Sequence, residues 1–229
     1  MSQLALPLQL ADHAVFASFL DTGNEALVAT LRRIASGGEG HGCWLWGASS
    51  TGKTHLLQAV CDAAGDRAAY MPLSMFAGAG AEILDGLASR ELICIDDVDL
   101  VAGQPVWEAA LFNLSNQVFD AGAQLIVSAG SAPRECALEL ADLKSRFAKL
   151  PVFQIHALDE DERVCALQLR SKHRGLDLLD DTARYLLKRS RRDMASLYAV
   201  LDKLDGEALR AKRRLTIPFV RAVLEGKPD

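Results

Sequence analysis

The sequence predicts an α/β fold, a P-loop type parallel five-stranded sheet with helices on both faces, continued by a small all-helical unit. Three observations predict it. The stretch Cys43 to Leu57 reads CWLWGASSTGKTHLL, an apolar run, a glycine-bounded loop and an apolar helix-like segment in succession. Short apolar runs then alternate with amphipathic stretches as far as Ile155, the pattern of parallel strands joined by crossover helices. After Leu158 the strand-like runs stop and only helical periodicity remains.

The first ten residues stand apart from this scheme. Leu4, Leu6, Leu8 and Leu10 occupy alternate positions, the period of an extended strand, and Pro7 confines such a strand to a sheet edge or a free peptide. Two readings stay open at this point. One is an edge strand against the protein's own body. The other is a peptide that docks on a partner, with leucines filling pockets and Gln3 supplying hydrogen bonds.

Phe16-Ala-Ser-Phe19 comes next, followed by a loop at Asp21 to Asn24. Phe16 and Phe19 read equally as core or as packing near a bound base. Glu25 to Ala35 has helical spacing through Leu27, Leu31 and Ile34 and stops at Gly37-Gly38. Beyond the glycine-bounded loop, Ala68 to Met71 predicts a strand closed by Pro72, and Ile83 to Ala88 a helix. Leu92 to Ile95 predicts a strand buried on both faces. Trp107 to Phe119 is an amphipathic helix entered through Pro105 and closed near Gly122. Leu125 to Val127 and Val152 to Ile155 are further strands, with a helix through Arg146 between them. Helices at Glu160 to Lys172, Asp181 to Lys188, Met194 to Leu209 and Ile217 to Leu224 make up the tail. Trp44, Trp46 and Trp107 read as core.

Composition narrows the function classes. A net charge of −5 and a pI near 5.6 argue against a protein whose main task is coating nucleic acid. The basic clusters Lys188-Arg189-Arg191-Arg192 and Arg210-Lys212-Arg213-Arg214 read as solvated helix faces. Five scattered cysteines form no CxxC pair, so buried reduced thiols in a cytoplasmic protein are expected rather than zinc or disulfides. No apolar run approaches the roughly 18 residues of a membrane span, and no basic signal-peptide region opens the chain. No membrane association is expected.

Gly47-Ala48-Ser49-Ser50-Thr51-Gly52-Lys53-Thr54 is GxxxxGKT between a predicted strand and a predicted helix. Glycines let such a loop curl so that backbone N–H groups face phosphate oxygens, and the following helix adds the positive end of its dipole. Lys53 would reach the outer phosphates and the Thr54 hydroxyl would hold Mg2+. His55, next on the helix, reads as a helix residue rather than a catalyst. A phosphate loop needs a carboxylate at the end of a neighbouring strand, and Ile95-Asp96-Asp97 supplies two. Asp96 would orient the metal's water shell, and Asp97 would position an attacking water.

The order of phosphate loop, Asp-Asp strand, apolar strand and Leu143-Lys144-Ser145-Arg146-Phe147, with a helical lid behind, resembles AAA+ ATPases of the DnaA branch. The resemblance is closer still to the Hda-type DnaA-related regulators, which act in regulatory inactivation of DnaA. It covers nearly the whole chain and includes QLALPL, FASF, CIDD, LKSRF, ALQLRSKHRG and the closing LTIPFV. What it implies divides the chain into an N-terminal clamp-binding peptide (1–12), an AAA+ nucleotide-binding domain (13–158) and a helical lid (159–229). The QLALPL segment is similar to motifs that bind the bacterial sliding clamp, the DNA polymerase III beta subunit, with Gln3, Leu4, Leu6, Pro7 and Leu8 as contacts. Arg146 matches the arginine finger that AAA+ subunits present to a neighbour's nucleotide, here ATP on a DnaA-type initiator.

The implied function is negative control of replication initiation, with ADP or ATP and Mg2+ in the chain's own site and DNA reached through the clamp. A cytoplasmic, nucleoid-associated location goes with it, and self-association is left open. Two positions depart from the family pattern. The first sensor, usually Asp or Asn, aligns with Gly130, and the second, an Arg, aligns with Ala195. Nearby substitutes are Ser128 or Ser131 for the first and Arg191 or Arg192 for the second. Both losses weaken γ-phosphate detection, so ADP is expected to bind at least as well as ATP, and hydrolysis on a partner is expected rather than turnover in this chain. A self-sufficient ATPase such as a helicase loader is the alternative. The family's DNA-reading helix-turn-helix is expected to have no counterpart.

Overall fold

The computed structural model describes residues 14–76, 78–190, 193–211 and 214–226. The leucine-rich segment with Gln3, Leu4, Leu6, Pro7 and Leu8 lies outside them, as do Arg191 and Arg192. Five strands, β1 (Gly42–Trp46), β2 (Ala68–Pro72), β3 (Leu92–Asp96), β4 (Gln124–Ala129) and β5 (Val152–Gln154), form one parallel sheet in the order β2-β3-β4-β1-β5. Successive side chains of a strand point to opposite faces. Cys43, Leu45, Leu92, Cys94 and Ile126 thus meet α1 (Glu25–Ala35) and α2 (Lys53–Ala64) in one core. Trp44, Ile93, Ile95, Leu125 and Val127 meet α3 (Leu73–Phe76), α4 (Pro105–Asp120) and α5 (Ala141–Phe147) in the other. Because helices cover both faces, β3 and β4 have no polar alternation to show, which is why they read as continuous apolar runs.

One element differs from expectation. Ile83 to Ala88 does not form a helix; 3-10 turns at Ala81–Leu84 and Leu87–Ser89 stand in its place. Gly86 between them takes φ 82°, a left-handed conformation that ends helical propagation. Trp44 and Trp107 are core as expected, and Trp46 is partly buried against the same cluster. Cys43, Cys61, Cys94 and Cys136 are buried free thiols, but Cys165 is exposed, a correction to the uniform burial expected. Its position on α6 (Glu160–His173) faces solvent because the neighbouring Val164 and Ala166 face inward.

α6, α7 (Asp180–Arg189), α8 (Met194–Ala211) and α9 (Ile217–Leu224) enclose a third core that includes Val164, Leu167, Leu186, Leu201 and Val220. Asp159 opens α6 with a reciprocal cap: its carboxylate accepts from the Glu162 N–H, and Glu162 accepts from the Asp159 N–H, both at 2.8 Å. Arg174, just past α6, pairs with Asp202 and, at 3.7 Å, with Asp205 of α8. Among the described residues no helix is long and apolar enough to cross a membrane.

α4 carries a group that the sequence did not advertise. The Glu108 carboxylate, 2% exposed, accepts hydrogen bonds from the backbone N–H of Gly103 at 2.7 Å, of Glu139 at 3.0 Å and of Leu140 at 2.6 Å. It therefore fixes both the loop entering α4 and the segment entering α5. Burial works against its charge, but the donors from Leu140, Glu139 and Gly103 outweigh it and hold the pKa below the ordinary 4.5.

Candidate nucleotide site

β1 ends at Trp46, the chain loops through 47–52, and α2 begins at Lys53. The loop is tight for local reasons. A Cβ on Gly47 would stand 3.0 Å from both the Ile155 carbonyl oxygen and Thr51 Oγ1, and Gly52 takes φ 102°. Ser50 also has positive φ, 63°, a conformation uncommon outside glycine. Thr51 Oγ1 donates to the Ala48 carbonyl at 3.0 Å. Lys53 is 8% exposed, and its Nζ donates to the carbonyls of Gly47 at 2.9 Å and Ala48 at 3.1 Å. The ammonium thus lies inside the curl of the loop, with Ala48 and Ser49 exposed around it and Thr54 exposed at the start of α2.

The carboxylates lie at the carboxyl end of β3. Asp96 is 1% exposed and doubly bonded: Tyr70 OH donates to Oδ2 at 2.8 Å, and the Ser128 hydroxyl makes a short hydrogen bond to Oδ1. Burial and then Asp96 itself hold the Tyr70 phenol well above its usual range. Ser128 also accepts the Asp97 N–H at 2.9 Å, and Asp97 takes a left-handed conformation with φ 60°. Burial and the neighbouring Asp96 raise the Asp97 pKa above 3.8. Ser128 is therefore fully employed in orienting the acidic pair. Gly130, two residues on and just past the end of β4, is exposed, and a Cβ there would stand 3.2 Å from Asp99 Oδ2. Ala195 is exposed on α8.

A cleft of about 490 Å³ runs beside the loop. Ser49 to Gly52 border one side, Leu158, Arg163 and Ala166 another, and Asp193, Met194 and Tyr198 close it from α8. Phe19, His55, His156 and Asn24 complete it. Phe19 packs directly on the loop, since a Cβ on Gly52 would fall 2.7 Å from its Cε2. Phe16 instead packs on the core beneath α1 and α2 and under the Arg32 guanidinium, 5.1 Å from its ring centroid. Asn24, 4% exposed, accepts the His156 N–H at 3.0 Å and donates to the Thr22 carbonyl.

His55 joins these parts. Its Nε2 lies 3.0 Å from the Val15 carbonyl, which can only accept, so Nε2 carries the proton; its ring is 5.5 Å from that of Phe19. The side chain ties α2 to the 3-10 turn Phe16–Ser18, which in turn contacts α6. Burial, aided by the charge of Arg170, lowers its pKa from 6.5 to about 4. Above pH 6.5 both folded and unfolded chains hold it neutral, and stability is complete. As pH falls from 6.5 towards 4 the unfolded chain binds a proton that the folded one refuses, so stability is lost. Urea unfolding of the intact chain should lose at most about 3 kcal/mol through this window relative to a His55→Gln variant measured in parallel. Parallel pH profiles for the two proteins would contradict this.

Arg146 does not border the cleft. On α5 its guanidinium centre stands 5.5 Å from the ring centroids of both Phe112 and Phe119 of α4, and the side chain is half-buried. Asn24, His156, Arg163, Tyr70 and Tyr198 are site residues that the motif reading passed over. Arg163 alone carried a local signal, a basic residue in the first turn of a helix whose capping pair was legible.

The family model of the bacterial DnaA ATPase domain matches residues 10–150. The chain belongs to that family. A second family model, described as the lid domain of Hda, matches residues 159–224. The sheet order, the phosphate loop and the helical tail are thus those of a DnaA-related AAA+ protein with an Hda-type lid. Among solved structures, the chain is similar to domain III of the Thermotoga maritima replication initiation protein DnaA, at 19% identity and TM-score 0.76, covering 95% of this chain and 98% of that one. It is similar also to AMPPCP-bound DnaA from Aquifex aeolicus, at 22% identity and TM-score 0.66, covering 85% of this chain and 65% of that one. The RuvB Holliday junction branch migration motor of Thermotoga maritima matches at 16% identity and TM-score 0.64, covering 90% of this chain and 69% of that one. At these identities the structures speak for the AAA+ fold alone.

Proposed function

We propose that this DnaA-related protein is a nucleotide-bound adaptor that lends Arg146 to ATP held by a DnaA-type initiator and so switches the initiator off. The observation that carries the reading is the station of Arg146: half-buried on α5 against two phenylalanines and apart from the residues lining the chain's own cleft. That station supports the reading because it leaves the guanidinium clear of the chain's own nucleotide cleft.

The chain's own cleft is the place for ADP or ATP. Gly47, Ala48, Ser49, Ser50, Thr51 and Gly52 would wrap the phosphates, Lys53 would exchange loop carbonyls for phosphate oxygens, and His55 would support the loop from behind. Thr54 and Asp96 would face Mg2+, and Asp97 would be the residue to orient water. Mg2+ held there would supply positive charge to the phosphates, between the sheet domain (13–158) and the lid (159–229). Three features favour holding over turnover. Asp96 is already engaged by two hydroxyls, Gly130 has no side chain, and Ala195 is exposed. ADP would therefore bind at least as well as ATP.

Gln3, Leu4, Leu6, Pro7 and Leu8, within the peptide 1–12, would dock on the sliding clamp and place the protein on DNA, in the cytoplasm at the nucleoid. Tethering of this kind raises local concentration and can add roughly 10²–10⁴ in avidity without a new contact at the catalytic interface. Removing residues through Leu8 should abolish capture by immobilised clamp. In an assay with clamp, primed DNA and ATP-loaded initiator, it should also return hydrolysis to the level without the protein. Capture that survives the deletion would refute the tether, and unchanged stimulation would refute the adaptor.

A further inference from the structure

Arg170 on α6 stands out among the charged side chains of the described residues. Its side chain is buried, with 7% of the residue exposed. It makes no ion pair among the described residues, and its Nε–H is buried without an acceptor. Asp202, the carboxylate that acts on it from a distance, is taken by Arg174. A guanidinium largely removed from water without a carboxylate is costly and needs another source of stabilisation. Here that source is the Tyr198 ring of α8, whose centroid lies 4.1 Å from the guanidinium carbon. Cations stack on aromatic faces in this way, most strongly when both are desolvated.

Tyr198 borders the cleft, and so do Arg163 and Ala166, which precede Arg170 on the same face of α6 at helical spacing. On the opposite side Phe19 packs on Gly52 of the phosphate loop. The cleft therefore has an aromatic ring on its lid side, pinned by a buried cation, within reach of whatever the phosphate loop anchors. We propose that Tyr198, held by Arg170, is the lid's stacking platform for the purine base of the bound nucleotide. This rests on reading the cleft as a nucleotide site and adds what selects the base. An aromatic ring gains most from a flat ligand of matching area, and a side chain already fixed by Arg170 loses little freedom on binding.

Calorimetry with ADP, CDP and inorganic pyrophosphate tests it on the full chain. Tyr198→Leu should weaken ADP binding about tenfold or more, reduce the preference for ADP over CDP, and leave pyrophosphate binding unchanged. Tyr198→Phe should keep ADP affinity, and Arg170→Met should lower it by less than Tyr198→Leu does. Thermal unfolding of each variant checks that it is folded. A folded Tyr198→Leu variant that binds ADP within twofold of the parent, or that loses pyrophosphate along with ADP, overturns the platform while leaving the nucleotide site standing. A parent chain that binds neither ADP nor pyrophosphate overturns the nucleotide reading and the platform together.

Discussion

Arg146→Ala should reduce the stimulated hydrolysis of initiator-bound ATP by about 10³–10⁵, to the level seen without the protein, because an arginine finger contributes on that scale. The effect should be confined to rate. Arg146, on α5, faces α4, where its only described ring contacts are to Phe112 and Phe119 at 5.5 Å. Losing a half-exposed stack of that kind costs about 0.5–1 kcal/mol, too little to unfold the sheet. Clamp capture and nucleotide binding by the variant should match the parent. Arg146→Lys separates charge from shape, since a compact ammonium cannot give the planar, paired donors of a guanidinium. It should recover little of the lost rate. Stimulation by the alanine variant equal to that of the parent would remove the basis of the proposed function. Brisk ATP turnover by the isolated chain would point instead to the self-sufficient ATPase.

The second large effect is on stability. Glu108→Ala should lower the unfolding free energy by about 3–5 kcal/mol, read from urea melts at neutral pH. The carboxylate, itself buried, accepts the N–H groups of Gly103, Glu139 and Leu140. Its removal takes that acceptor from all three, and a hydrogen bond to a charged group contributes about 1.5–3 kcal/mol. Glu108→Gln retains an acceptor but turns an amide N–H toward a donor, so about half the loss is expected. The pKa of Glu108 is held below 4.5, so its contribution is complete above that pH and declines as pH falls through the lower folded value. Because the same clamp sets the start of α5, the alanine variant should also lose stimulation at temperatures where it remains folded. A melt within about 0.5 kcal/mol of the parent, the range of an ordinary surface change, would show that the three N–H groups find other partners.

Much of the candidate site was written locally. GxxxxGKT is a run of consecutive residues, and its consequence, a curled loop feeding a helix N-terminus, depends on torsions within that run. Asp96-Asp97 is likewise a short apolar strand with acids at its end. The one misread element, Ile83 to Ala88, shows where local reading stops. Its apolar residues fit a helix, but Gly86 adopts a left-handed turn that periodicity does not register. Ser128 had been one substitute for the missing first sensor; the fold gives its hydroxyl to Asp96 and the Asp97 N–H instead.

By itself the sequence determined the parallel sheet, the phosphate loop, the acidic strand end and the helical tail. Each is a pattern of neighbours along the chain, fixed by side-chain period, glycine torsions and helix caps. Only the tertiary structure decided which groups meet. Tyr70 reaches Asp96 across 26 residues and Ser128 across 32, Glu108 gathers N–H groups from two loops, and Arg170 finds Tyr198 on another helix. Such contacts follow from strand order and from how helices pack over the sheet, and a buried polar group settles on whichever partner that packing brings within hydrogen-bond reach.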